Sequence, residues 1–192
     1  MLELPLDYKH LLTPEGPRAS FFPAIEEDLA WLLWFLTKVD PVTVLEMGTG
    51  FSSAIIYQWA GSDTDKFVES LESHPLWLHP ALVQLHSALH VGSFKDMQHR
   101  RFVTFSPVKN THPGSRYIEY TLVTIARPEF VYVDGPVQSL RTILELPCTL
   151  GDNCTLLFDG RIETFELARV KRSGWFGYHD GDRGILTRRE GL

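Results

Sequence analysis

Apolar positions along this chain alternate between helical stripes and short β-branched runs. Ile25, Leu29, Leu32, Leu33 and Leu36 recur at spacings of three and four, which predicts a helix over about 24–37. Glu26, Glu27 and Asp28 occupy its first turn, where the helix dipole favours acidic side chains, and Asp40-Pro41 ends it. Trp31 and Trp34 widen the apolar face and read as packing against a sheet. Runs rich in β-branched and aromatic residues predict strands at 42–46, 67–71, 101–105, 130–133 and 155–158. Helices are expected between them at about 52–60, 75–90, 138–146 and 163–171. The stretch 106–115 reads as a polar loop and 117–126 as a helix, although Thr121, Val123, Thr124 and Ile125 disfavour one. Two closing strands, 175–178 and 184–188, flank a polar turn, and Pro5, Pro14, Gly16 and Pro17 make 1–20 an irregular lead-in.

Strands that alternate with helices imply an α/β fold: a mostly parallel seven-stranded sheet, helices on both faces and a C-terminal antiparallel hairpin. The 192 residues fit a single domain, 1–192, long enough to bury a proper core. In such sheets ligands bind beyond the carboxyl ends of the strands, where the strand order reverses. Four of the strands end in acidic residues, Glu46, Glu72, Asp134 and Asp159. One such carboxylate is unremarkable; four on one sheet edge suggest a lined cleft.

Charge narrows the partners. A formal net charge of −6, with basic residues scattered apart from short pairs such as Arg100-Arg101, argues against nucleic acid. No apolar run reaches membrane-spanning length, and the N-terminus lacks a signal peptide's basic start, so a cytoplasmic location is expected. Cys148 and Cys154 read as free thiols, and the tryptophans Trp31, Trp34, Trp59 and Trp77 point to a homodimer face.

The candidate chemistry centres on Glu46-Met47-Gly48-Thr49-Gly50-Phe51-Ser52-Ser53. A strand ends in an acidic residue, a Gly-x-Gly turn follows, and hydroxyl residues open the next helix. Glycines there permit a sharp turn and a close approach of ligand to backbone. The acidic Glu46 disfavours a pyrophosphate and suits a ligand bearing positive charge. Without a third glycine the loop does not read as a dinucleotide fingerprint, and Ser52 does not sit in Gly-x-Ser-x-Gly. His86 and His90 share a helix face with no third ligand placed by sequence, so they read as a solvated pair.

These motifs resemble the class I S-adenosylmethionine (SAM)-dependent methyltransferases, in the form seen in small-molecule O-methyltransferases, and the likeness covers roughly 20–190. The resemblance implies a Rossmann-like fold and an enzyme that transfers a methyl group from SAM to a small-molecule acceptor at a hydroxyl oxygen. It implies cofactor contacts at Glu46, Gly48, Thr49, Gly50, Ser52, Ser53, Glu72, Ser73 and Asp134, with Glu72 accepting both ribose hydroxyls. Asp134 and Asp159 match the strand ends that serve the acceptor. In metal-dependent members those two positions hold Mg²⁺ or another divalent cation.

Two positions depart from that pattern. Gly160 stands where metal-dependent members carry Asn or Asp, and Pro136 where some relatives carry His. Both support an alternative reading, a non-catalytic SAM-binding module with an assembly or regulatory role. Methyl transfer to nitrogen or to a macromolecule is a further alternative. Glu46 also suits bonding to the backbone amides of the turn, Glu72 and Asp159 also suit helix capping, and Asp134-Gly135-Pro136 also suits a turn. His179 and Asp180 read as a surface hairpin, and Arg161 as a partner for Asp134, an anionic substrate or a surface carboxylate.

Overall fold

A computed structural model describes residues 3, 5, 26–61, 63, 65–73, 75, 101–105, 108–110, 118–120, 125, 127–134, 150, 153–159, 174–180, 183–189 and 192. The helices expected at 75–90, 138–146 and 163–171 lie outside them, apart from Pro75, as do His86, His90, Cys148 and Arg161.

Helix α1 spans Glu26–Val39 and buries Leu29, Leu32, Leu33 and Leu36, the stripe expected of it. Burying each leucine is worth about 2 kcal/mol, which holds the helix on the sheet. Strand β1 (Thr43–Met47) leads through the glycine turn into α2 (Phe51–Ala60), followed by β2 (Phe67–Glu72) and β3 (Arg101–Phe105). Two short strands, β4 (Val108–Asn110) and β5 (Ile118–Tyr120), pair antiparallel as a separate ribbon. The ribbon corrects two expectations: 108–110 is strand within the predicted loop, and 118–120 is strand where a helix was expected. The β-branched residues at 121, 123, 124 and 125 had already argued against that helix. Strands β6 (Phe130–Val133), β7 (Thr155–Asp159), β8 (Phe176–His179) and β9 (Arg183–Thr187) complete the order.

The main sheet runs β3-β2-β1-β6-β7-β9-β8. The pairs joining β3, β2, β1, β6 and β7 are parallel, and β9 pairs antiparallel with both β7 and β8. Strand order reverses between β1 and β6, so a crevice opens beside the end of β1.

Successive side chains on a strand point to opposite faces, so register determines which residues meet. One face carries Val44, Val68, Phe130, Tyr132 and Leu157 beneath α1 and α2. The opposite face buries Leu45, Met47, Leu71, Val131, Val133, Leu156 and Phe158 with Trp175 and Leu186. Trp31 packs against the first cluster, but Trp34 is 41% exposed and stacks edge-on against Phe35, so only one of the two faces the sheet. Buried Lys66 sits 4.2 Å from the Trp59 ring and 2.6 Å from Asp40, which secures the chain between β1 and α1 at the far edge. Among the described residues no helix is long and apolar enough to cross a membrane.

Candidate cofactor and acceptor site

The turn after β1 needs Gly48, whose φ of 91° lies where side-chain-bearing residues are strained. Gly50 serves differently. Its backbone is extended, and a Cβ there would meet only Ser52 Oγ, at 3.9 Å, among the described residues. That is an ordinary van der Waals distance, so among the described residues a small side chain at Gly50 would meet no clash.

Register places Glu46 beside Ser70 on β2 and Tyr132 on β6, all on the face under α2. Glu46 is fully buried and its carboxylate accepts from three hydroxyls: Ser52 at 2.6 Å, Ser53 at 2.8 Å and Ser70 at 2.5 Å. Tyr57 on α2 donates to Ser70 Oγ at 2.7 Å, and Gly50 N–H donates to Ser53 Oγ at 3.1 Å. The bonds from Glu46 therefore go to side-chain hydroxyls rather than to the backbone amides anticipated from sequence. The network ties the glycine turn, the first turn of α2 and β2 into one unit. Burial raises the Glu46 carboxyl from 4.5 to about 7, and the Glu72 charge adds to this, against the lowering effect of the three hydroxyls. Ser52 and Ser53 are buried in this network, so their hydroxyls serve the loop's shape.

Two further links join the loop to β2. Gly48 N–H donates to Leu71 O at 3.0 Å, and Thr49 Oγ1 donates to Glu72 Oε2. Glu72 is 5% exposed at the strand end, with Ser73 half-buried after it. On the other side of the crevice, Asp134 N–H donates to Met47 O at 3.1 Å, which seats Asp134 next to the β1 turn.

Val133 pairs with Phe158, so Asp134 and Asp159 stand one register step further on, at neighbouring strand ends. Tyr132 lies two residues before Asp134, on the same face by strand alternation, and donates to Asp159 Oδ2 at 3.3 Å. Burial, then the charges of Asp134, Asp159, Glu46 and Asp28, hold the Tyr132 phenol well above its usual range. It remains a hydrogen-bond donor rather than a base. Arg183 pairs in register with Asp159 and is approached by α1: Glu27 at 3.4 Å, Asp28 at 3.2 Å and the Trp31 ring at 5.7 Å. Arg183 Nε lies off the line of a hydrogen bond to Asp28, so that contact is a pairing of charge.

The structure thus gathers Glu46, Gly48, Thr49, Gly50, Ser52, Ser53, Glu72 and Asp134 around the reversal point, with Asp159 one strand further. Tyr57, Tyr132 and Arg183 were not singled out from sequence. Tyr132 was findable, because a residue two before a strand-end Asp shares its face. Among the described residues no three His, Cys, Asp or Glu side chains come together as a metal cluster. His179 ends β8, and the Asp180 carboxylate accepts from Arg183 N–H at 2.8 Å, forming the expected hairpin turn.

Counted without the ribbon, the strand order is 3-2-1-4-5-7-6, and several solved structures superpose on the chain. A methyltransferase from Podospora anserina, bound to SAH, superposes with a TM-score of 0.62 at 13% identity, over 97% of this chain and 89% of that one. An O-methyltransferase from Bacillus cereus, in complex with SAH, gives 0.61 at 12% identity, over 94% and 87%. An O-methyltransferase from Streptomyces achromogenes involved in tomaymycin synthesis, in complex with SAM, gives 0.58 at 13% identity, over 97% and 90%. The chain has the class I methyltransferase fold. No family model and no curated protein matches it in sequence, so the likeness lies in this methyltransferase fold rather than in residue identity.

Proposed function

We propose that the chain binds SAM at the β1–β6 reversal and transfers its methyl group to a small-molecule acceptor, at a hydroxyl oxygen. The observation that carries this reading is the placement of Glu72 against the Thr49 hydroxyl, beside a glycine turn at the end of β1. An ionised carboxylate there accepts from both hydroxyls of a ribose. The N-terminus of α2 offers its positive dipole end to the amino-acid carboxylate. Acidic groups at Glu46, Glu72 and Asp134 suit the positive charge of the ligand.

When bound, SAM supplies an electrophilic methyl group on a sulfonium. In the transfer the sulfur–carbon bond breaks as the oxygen–carbon bond forms, and the acceptor hydroxyl releases a proton. In this reading Asp134 and Asp159 receive that proton, which is supported by the Tyr132 hydroxyl donating to the Asp159 carboxylate at 3.3 Å. Orientation of donor carbon and acceptor supplies much of the rate in such transfers, on the order of 7–11 kcal/mol in favourable cases. Among the described residues no three His, Cys, Asp or Glu side chains complete a metal site.

The test is SAH release from SAM across a broad panel of hydroxylated acceptors, with and without chelator. Turnover that falls at least a hundredfold in Asp134→Asn and Asp159→Asn supports the assignment. SAM binding without turnover on any hydroxylated acceptor refutes oxygen transfer and favours the non-catalytic module. Loss of activity on chelation would assign Asp134 and Asp159 to a divalent cation.

A further inference from the structure

Three successive links fasten the end of β1 and the turn after it to β2, at Glu46–Ser70, Gly48–Leu71 and Thr49–Glu72. The last reaches the carboxylate assigned above to the ribose. Thr49 stands between Gly48, whose positive φ reverses the chain, and Gly50, whose backbone is extended. That turn aims the Thr49 hydroxyl at Glu72 Oε2, at the end of the neighbouring strand. A carboxylate held by a fixed donor loses rotamer freedom and so presents its oxygens in a set direction.

We infer that Thr49 is a specificity-determining residue: its hydroxyl fixes the Glu72 carboxylate so that the site discriminates for the ribose diol. The inference rests on the reading of Glu72 as ribose acceptor and adds a residue to it. Glu72 supplies the contact, and Thr49 supplies its orientation. A purely structural hydroxyl would affect every ligand of the crevice alike. An orienting one affects only ligands that carry the diol.

Calorimetric titration with SAH and with its 2′,3′-dideoxy counterpart separates these roles, since neither ligand requires a known acceptor. The wild type is expected to prefer SAH. Thr49→Val is expected to weaken SAH about tenfold, the scale of a lost hydrogen bond to a charged group, while leaving the dideoxy ligand within about twofold. Thr49→Ser, which restores the hydroxyl, is expected to recover SAH affinity. Unchanged melting temperatures would show that the variants fold. Equal losses for both ligands in Thr49→Val, or no loss for SAH, would overturn the inference and leave the cofactor reading standing. Failure of the wild type to bind SAH at millimolar concentration would overturn both.

Discussion

Replacing Glu46 with Gln should remove part of the protein's pH dependence of stability. Glu46 is fully buried, and burial raises its carboxyl from 4.5 to about 7 despite three hydroxyl donors. Below the unfolded value of 4.5 the group is protonated in both states and carries no penalty. Between 4.5 and about 7 the folded protein retains a proton that the unfolded chain releases, so stability falls as pH rises. Above that window the loss is complete. At 1.36 kcal/mol per pH unit, a shift of that size amounts to about 3 kcal/mol. Glu46→Gln keeps the shape and removes the titration. Urea unfolding of both proteins at pH 5, 6, 7 and 8 gives the difference in stability at each pH, in which the other titrating groups cancel. That difference should move in favour of Gln by about 2–3 kcal/mol from pH 5 to pH 8, since part of the window lies below pH 5. A difference flat to within about 0.5 kcal/mol would refute the claim that burial outweighs the serine hydroxyls at this site.

Gly48→Ala places a side chain at φ 91° and should cost about 1–3 kcal/mol, read as a lowered melting temperature, together with weaker SAM binding. Unchanged stability there would mean that the turn relaxes without strain. Ser70→Ala removes the partner shared by Glu46 and Tyr57, leaving buried polar groups short of a bond, and should cost about 1–3 kcal/mol in urea unfolding. The further change Tyr57→Phe should recover part of that loss, because the orphaned phenol is then gone.

Most of the sheet was legible because its strands are short β-branched or aromatic runs bounded by turn residues. The expected and observed limits coincide for 101–105 and 130–133, and differ by one residue at each end of the first strand. The ribbon of β4 and β5 was not legible: three-residue strands show almost no period, and their pairing depends on a partner some ten residues away. The site divides in the same way. Strand-end carboxylates can be read from a sequence because a strand's end is local. The partners of Glu46 cannot, since Ser70 reaches it only through the register of β1 on β2. Arg183 likewise meets Asp159 only through the antiparallel register of β9, and Glu27 and Asp28 only because α1 lies over that edge.

The central claim is that Glu72 and the glycine turn form a SAM site, and calorimetric titration with SAM tests it most directly. The wild type should bind with a single site per chain, and Glu72→Ala should bind at least tenfold more weakly with its fold intact, since a charged hydrogen-bond acceptor is lost. Absence of binding by the wild type at millimolar SAM, or equal affinity in Glu72→Ala, would contradict the account.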